Sequence, residues 1–140
     1  MVAKGKRKTG KFAVETKVDE LLSNTYSWIS NDKIIPKKHK FTIGADIKSL
    51  TLEVHNYIYQ ANATRSDVLE EFSKRLTLEQ LAMNKLEMLI SIVNMAFTTF
   101  NIKESTCNHW SKLLSELKKL LGGWIESDRI RFNKLANNKI

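Results

Sequence analysis

The chain has 140 residues, of which 42% are hydrophobic, and this suits a single domain with its own core. Five glycines and one proline are too few for the many turns of an all-β fold, and no apolar run reaches the roughly 18 residues of a membrane-spanning helix. The formal net charge of +8 favours a polyanionic partner such as nucleic acid, although a basic surface that only keeps the protein soluble has the same composition.

The positive charge is concentrated toward the two ends of the chain. Residues 1–40 hold 10 Lys and Arg against 4 Asp and Glu, residues 101–140 hold 8 against 4, and residues 41–100 hold 5 against 7. Residues 1–12 are predicted to be a disordered basic tail and residues 127–140 a polar, basic C-terminal tail. The lone Cys107 fits a reducing compartment, and no apolar stretch follows the charged start, so we expect a cytoplasmic protein without a secretory signal.

Four amphipathic helices are predicted over residues 13–126, which gives an all-α, up-down four-helix bundle. The first spans Val14 to about Asn31, before a connection marked by Pro36, and the second begins near Thr42. The third runs from Ser66 to Phe100 as one helix, because apolar residues recur through it at spacings of three and four. The fourth follows a capping box that begins at Asn101.

The third helix carries a second, partial apolar stripe, which makes its apolar face wider than a four-helix core requires. Either the bundle has a wide core, or the stripe is covered by another subunit; we favour a subunit interface, since a long open bundle would otherwise expose a large apolar area. The stripe consists of Leu78, Ala82, Leu89, Ile92 and Ala96.

A glycine pair interrupts the apolar rhythm of the fourth helix. Gly122 and Gly123 stand directly before Trp124, and each glycine costs a helix roughly 1 kcal/mol relative to alanine. The pair either ends the helix or allows another backbone to approach closely. We therefore group Gly122, Gly123 and Trp124 with the stripe as packing residues.

The sequence offers no catalytic or metal-binding constellation. Cys107 and His109 are two residues apart on a predicted helix and point in different directions, and one cysteine cannot build a Cys-rich zinc site. Glu79 interrupts the main apolar stripe of the third helix, where it either pairs with Arg75 or Lys85 or lies at a wet end of the bundle. We expect a non-enzymatic protein that uses no cofactor and no metal ion.

The candidate contacts to a polyanion are basic side chains in the Pro-marked connection and on the two long helices. They are Lys37, Lys38, His39 and Lys40 in the connection, and Lys74, Arg75, Lys112, Lys118 and Lys119 beyond it.

Two strings in the chain resemble motifs of a known family. Ile35–Gly44 (IPKKHKFTIG) resembles the signature loop and second-helix start that the accessory variability determinant (Avd) proteins of diversity-generating retroelements share with the four-helix-bundle proteins encoded within 23S ribosomal RNA intervening sequences. Leu120–Ile125 (LLGGWI) resembles the fourth-helix ending of the Avd group. The intervening-sequence group usually carries Asn-Ile-Ala-Glu-Gly after the second helix, whereas this chain has QANATR over residues 60–65, so the Avd group fits better. The resemblance covers roughly residues 15–126.

The resemblance implies a non-enzymatic bundle that assembles as a homopentameric barrel, binds a reverse transcriptase and RNA or DNA, and supports error-prone copying of a template RNA. It places residues 37–40 in the family's basic loop and residues 122–124 at the packed end of the fourth helix. Ile90 and Asn94 stand where the family often has arginine, so contacts made there are not expected here. Two alternatives stay open: a nucleic-acid-binding bundle with no polymerase partner, and a structural protein-interaction bundle.

Overall fold

A computed structural model describes residues 10–138, and in that range the chain forms α-helices and no β-strand. The helices are α1 (Gly10–Ser30), α2 (Ala45–Asn62), α3 (Leu69–Thr99) and α4 (Glu104–Asn138). The predicted all-α class is therefore confirmed. The basic tail predicted over residues 1–12 lies outside the described residues as far as residue 9, and residues 10–12 belong to the first turn of α1.

Each helix packs antiparallel to the next, and α1 closes the bundle against α4. The Tyr59 hydroxyl, late in α2, donates a hydrogen bond of 2.7 Å to Oδ2 of Asp19, near the middle of α1. Conversely, Nζ of Lys48, at the start of α2, lies 5.7 Å from the ring centroid of Tyr26, late in α1. Short connections then place α3 and α4 up and down in turn.

The core follows the predicted three- and four-residue spacing. Leucine, isoleucine, phenylalanine and tryptophan side chains from all four helices are excluded from solvent, and burial of each contributes about 1.5–3 kcal/mol. The largest are Leu21, Ile29, Ile47, Ile58, Phe72, Leu86, Leu89, Trp110, Leu117 and Leu121.

The second stripe of α3 belongs to this same core. Ala82, Leu89 and Ala96 have no exposed surface, and Leu78 and Ile92 pack against the core half-buried. Because α3 contacts both α2 and α4, it needs a wide apolar face within one chain. The interpretation of the stripe as a subunit interface is therefore wrong for the three fully buried residues.

The largest difference from the sequence prediction is that α4 continues through the glycine pair to Asn138. Residues 127–138, predicted to be a tail, are helical. The pair does not end the helix, and within the chain no other backbone approaches it: a Cβ on Gly122 would meet only the Met83 methyl group, at 3.8 Å, and a Cβ on Gly123 would meet nothing within 4 Å. The helix persists because burial of Trp124 and packing of Phe132 against α3 outweigh the cost of two glycines.

We expect Gly123→Ala to raise the free energy of unfolding by about 0.5–1 kcal/mol, because the site has room for a methyl group and alanine loses less backbone entropy in a helix. Urea denaturation followed by circular dichroism measures this. Gly44→Ala is the contrasting variant, because the new Cβ would lie 3.2 Å from Cγ2 of Ile29 instead of in open space. A loss of stability in Gly123→Ala would contradict the expectation.

Candidate nucleic-acid interface

The connection between α1 and α2 is held against the bundle at two points. Ile35 is fully buried in the core, and Pro36 turns the chain outward after it. Gly44 is buried against Ile29 and Ile35, and a Cβ there would lie 3.2 Å from Cγ2 of Ile29, which is closer than an ordinary contact. Between these anchors the chain forms a 3-10 turn (Lys37–His39) and a π-helical turn (Lys40–Gly44). Between the anchored ends, Lys37, Lys38, Phe41 and Thr42 face solvent.

The four basic residues predicted in this connection have different environments. Lys37 and Lys38 are exposed, and among residues 10–138 no carboxylate lies within 4.0 Å of either ammonium group. Lys40 instead donates a hydrogen bond of 2.7 Å to the carbonyl of Ser30 and forms an ion pair with Asp32. Lys40 therefore fastens the connection to the end of α1, and its hydrogen bond holds the pKa of Asp32 below its usual value.

The connection between α3 and α4 lies at the same end of the bundle. The His39 ring packs on Phe100, with ring centroids 4.9 Å apart. This brings the exposed Lys103 to the end that carries Lys37 and Lys38. We call residues 31–44 and 100–103 the basic end: together they carry five lysines and the carboxylate of Asp32, and the exposed carboxylates of Asp46 and Glu104 follow within two residues of these ranges. A surface with this excess of positive charge attracts phosphates.

The structure does not bring the remaining predicted lysines to the basic end. Lys74 lies in the first turns of α3, at the opposite end, with its Nζ 3.8 Å from Glu71. Lys112, Lys118 and Lys119 are exposed along α4, and Lys118 borders an open groove of about 320 Å³ between α3 and α4. Sequence reasoning missed Lys103, although an up-down bundle places alternate connections at the same end.

Arg75 is buried, which corrects its prediction as a contact to nucleic acid. Its Nε donates hydrogen bonds to Oδ2 of Asp128 at 2.8 Å and to Oε2 of Glu79 at 3.3 Å. The guanidinium carbon lies 5.4 Å from the ring centroid of Trp124 and 5.8 Å from that of Phe72. Arg75 is 5% exposed, so a guanidinium surrounded by two carboxyl groups and two aromatic rings leaves little surface for a phosphate.

The carboxyl groups around Arg75 do not carry equal charge. Burial, followed by a hydrogen bond with Asp128 and its negative charge, raises the pKa of Glu79 to about 9. Glu79 is therefore protonated at neutral pH, and the buried charges of Arg75 and Asp128 cancel. Arg131, on the rim, extends the network through a 3.1 Å hydrogen bond from Nη1 to Oδ1 of Asp128.

The sequence-based alternatives for Glu79 are resolved in favour of Arg75. Lys85, the other candidate partner, reaches across to Glu53 of α2 at 3.2 Å. Asp128 was missed because residues 127–140 were assigned to a tail. Its signal was present: Ile125, Asp128 and Phe132 continue the three- and four-residue spacing, which places a carboxylate at a core position.

Cys107 and His109 are separate in the structure. The Cys107 thiol donates to the carbonyl of Ile102 at 3.4 Å, and burial raises the pKa of this thiol. The His109 ring packs edge-on against Trp28, with centroids 5.1 Å apart. In the described part of the chain, no group of three or more His, Cys, Asp or Glu residues is placed to hold a metal ion.

No protein-family model, no curated protein and no solved structure matches this chain. Across residues 10–138, none of the helices combines the length and the apolar content that crossing a membrane requires.

Proposed function

We propose that this protein is a non-enzymatic adaptor of the Avd type, which binds nucleic acid and a reverse transcriptase during the mutagenic copying of a template RNA. The basic end carries the proposal, because it presents Lys37, Lys38 and Lys103 without carboxylate partners among residues 10–138. The resemblance of Ile35–Gly44 to the Avd signature supplies the polymerase partner.

The local structure explains how that signature presents a charged surface. Ile35 and Gly44, the first and last residues of the string, are its buried anchors, and the lysines lie between them. Lysine ammonium groups are strongly hydrated point charges, which suit contacts to phosphates along a flexible strand. Binding through such contacts releases counterions and therefore weakens steeply as salt rises.

We expect the double variant Lys37→Glu, Lys38→Glu to weaken RNA binding by at least about tenfold at physiological salt, because it replaces two positive charges that contact phosphates by negative charges that repel them. Fluorescence anisotropy with a labelled RNA measures affinity. Pull-down with the reverse transcriptase of the same retroelement measures the second interaction. Lys40 is left unchanged, since it holds the connection to Ser30.

The matched control is Lys118→Glu, Lys119→Glu, because it reverses another pair of adjacent exposed lysines, midway along α4. The control makes the same change in net charge, so a loss confined to the first variant locates binding at the basic end. Equal losses in both variants would assign binding to overall charge. Retention of both RNA and polymerase by the Lys37, Lys38 variant would overturn the proposed site.

The proposal includes assembly into a homopentamer. It is supported by an open groove of about 630 Å³ along the outer face of α3, where Met88 is 52% exposed, Met95 is 45% exposed and Ile92 forms part of the floor. Light scattering tests assembly: a pentamer has a mass of about 80 kDa, and a monomer of 16.1 kDa would contradict it.

A second candidate is a nucleic-acid-binding bundle without a polymerase partner. Ile90 and Asn94, which replace arginines often found in Avd proteins, favour it, because they line the groove beside Lys118 and leave that surface with less positive charge. Salt-dependent binding of RNA together with no reverse transcriptase in the pull-down would select this function.

A further inference from the structure

Phe41 is the most exposed large hydrophobic side chain among the described residues. Its accessible surface is 90% of the maximum, whereas Ile35 of the same connection is fully buried. It lies in the π-helical turn Lys40–Gly44. This backbone form is rare in proteins, and where it occurs it often lies at a functional site. The turn is fixed by Gly44 against Ile29 and by the hydrogen bond from Lys40 to Ser30. The fold therefore holds an aromatic ring in solvent at a defined place.

The surroundings of the ring are polar and positively charged. Lys37 and Lys38 precede Phe41 by four and three residues, Thr42 follows it, and all three are exposed. The basic end also carries Lys103, across the contact between His39 and Phe100. An aromatic face beside unpaired lysines is the combination with which proteins hold single-stranded nucleic acid: a base stacks on the ring, and the phosphates on either side meet the cations.

We propose that Phe41 is a stacking platform for one unpaired base of a single-stranded nucleic acid, whose phosphates lie on Lys37, Lys38 and Lys103. The inference rests on the proposed function and assigns it a substrate class. In a duplex the bases are stacked on each other and cannot reach the ring, so the site discriminates single strands from duplexes.

A protein partner fits the same surface less well. Aromatic anchors of protein interfaces lie in packed pockets surrounded by further apolar contacts that exclude water. Along the chain, the exposed residues nearest Phe41 are Thr42, Lys38, Lys37, Ala45 and Asp46, of which only Ala45 is apolar, and the nearest isoleucine, Ile43, packs inward against the core. An isolated aromatic ring with polar neighbours can stack on the face of a base, and the nearby lysines can contact the phosphates of the strand.

The test is fluorescence anisotropy on the full chain with labelled oligouridine of about 12 nucleotides, its deoxy counterpart, and an RNA duplex of the same length. We expect Phe41→Ala to weaken binding of the single strands by about tenfold, and of the duplex by less than about twofold. Phe41→Trp retains or increases affinity, because indole stacks on a base at least as well as phenyl. The RNA and DNA strands show whether the 2′-hydroxyl contributes.

Two controls separate stacking from charge and from general loss of apolar surface. Phe12→Ala removes a half-exposed ring at the opposite end of the bundle and leaves affinity unchanged. Phe41→Ala leaves the slope of log affinity against log salt unchanged, whereas Lys37→Gln, Lys38→Gln lowers that slope by about 1.4 if each lysine neutralises one phosphate. We expect the circular dichroism spectrum of Phe41→Ala to equal that of the wild type, since the ring is exposed and its removal does not disturb the fold.

The outcomes distinguish this inference from the proposed function. If the lysine variant loses RNA and Phe41→Ala does not, the basic end binds nucleic acid and the stacking role is overturned. Equal losses of single strand and duplex in Phe41→Ala also overturn it. If Phe41→Ala no longer retains the reverse transcriptase but still binds RNA, Phe41 is an anchor for a protein partner, and the stacking role is overturned. If the wild-type chain retains neither single strand nor duplex, both proposals fail, whereas retention of the duplex alone overturns only the stacking role.

Discussion

Arg75→Met is expected to destabilise the bundle by about 3–5 kcal/mol, the usual cost of removing one partner from a buried ion pair. The substitution leaves the carboxylate of Asp128 almost fully buried, with the rim residue Arg131 as its remaining cation. It also removes the guanidinium from between the rings of Trp124 and Phe72. Urea denaturation followed by tryptophan fluorescence measures the change in the free energy of unfolding.

Lys74→Met is the matched control, because it removes an exposed cation from the neighbouring position of α3. A surface ion pair contributes about 0–1 kcal/mol, so the control stays close to the wild type. A second variant, Arg75→Met, Glu79→Leu, Asp128→Leu, replaces the whole network by apolar side chains and regains much of the lost stability, since no buried charge is left unpaired. Equal effects at positions 74 and 75 would show that the network contributes nothing.

The free energy of unfolding is expected to fall with rising pH because of Glu79. Its pKa in the folded chain is about 9, against 4.5 for an ordinary glutamate, so in this window the folded state binds a proton that the unfolded state releases. The stabilisation is complete below about pH 4.5 and is lost as pH rises toward 9, with a limiting slope of about 1.4 kcal/mol per pH unit. Glu79→Gln keeps the shape of the protonated carboxyl group and flattens the profile.

Denaturation at several pH values between 6 and 8.5 measures the two slopes. The control is Glu87→Gln, which removes a carboxylate from the exposed side of the same helix without touching the network. Parallel profiles of the wild type and Glu79→Gln would show that Glu79 is already ionised in the folded chain. A flatter profile for Glu79→Gln alone assigns the proton to this residue.

The two ends of the bundle use charge in opposite ways. At one end, Arg75, Glu79 and Asp128 are buried, and their charges cancel, so the network joins α3 to the distal part of α4. At the other end, Lys37 and Lys38 are exposed without a carboxylate partner among residues 10–138. The exposed lysines are therefore free to meet a polyanion, whereas the buried network acts on stability.

The helices were predictable because their signal is local. Side chains at spacings of three and four define a helical face whatever the rest of the chain does, and α3 was correctly predicted as one helix. The bounds were less predictable. Val68 is extended and 39% exposed, so α3 begins at Leu69 rather than at Ser66. The end of α4 was predicted too early because glycine has a low helix propensity. In the structure, packing of the residues beyond the glycine pair against α3 outweighs that propensity.

The candidate site was predictable only in part. Pro36 and the run of basic residues after it placed the connection on the surface, and the structure has it there. The sequence did not distinguish Lys40, which is held by Asp32 and Ser30, from its neighbours Lys37 and Lys38. That difference depends on where the end of α1 lies relative to the connection.

The sequence by itself determined the helical class, the four helices and the basic character of the first connection, because each follows from residues close together along the chain. The tertiary structure decided which charges meet solvent. Arg75 and Asp128 are 53 positions apart, and only the packing of α3 on α4 makes them a buried pair. Lys103 joins Lys37 for the same reason: the environment of a charge depends on neighbours in space, and those are set by how the helices pack.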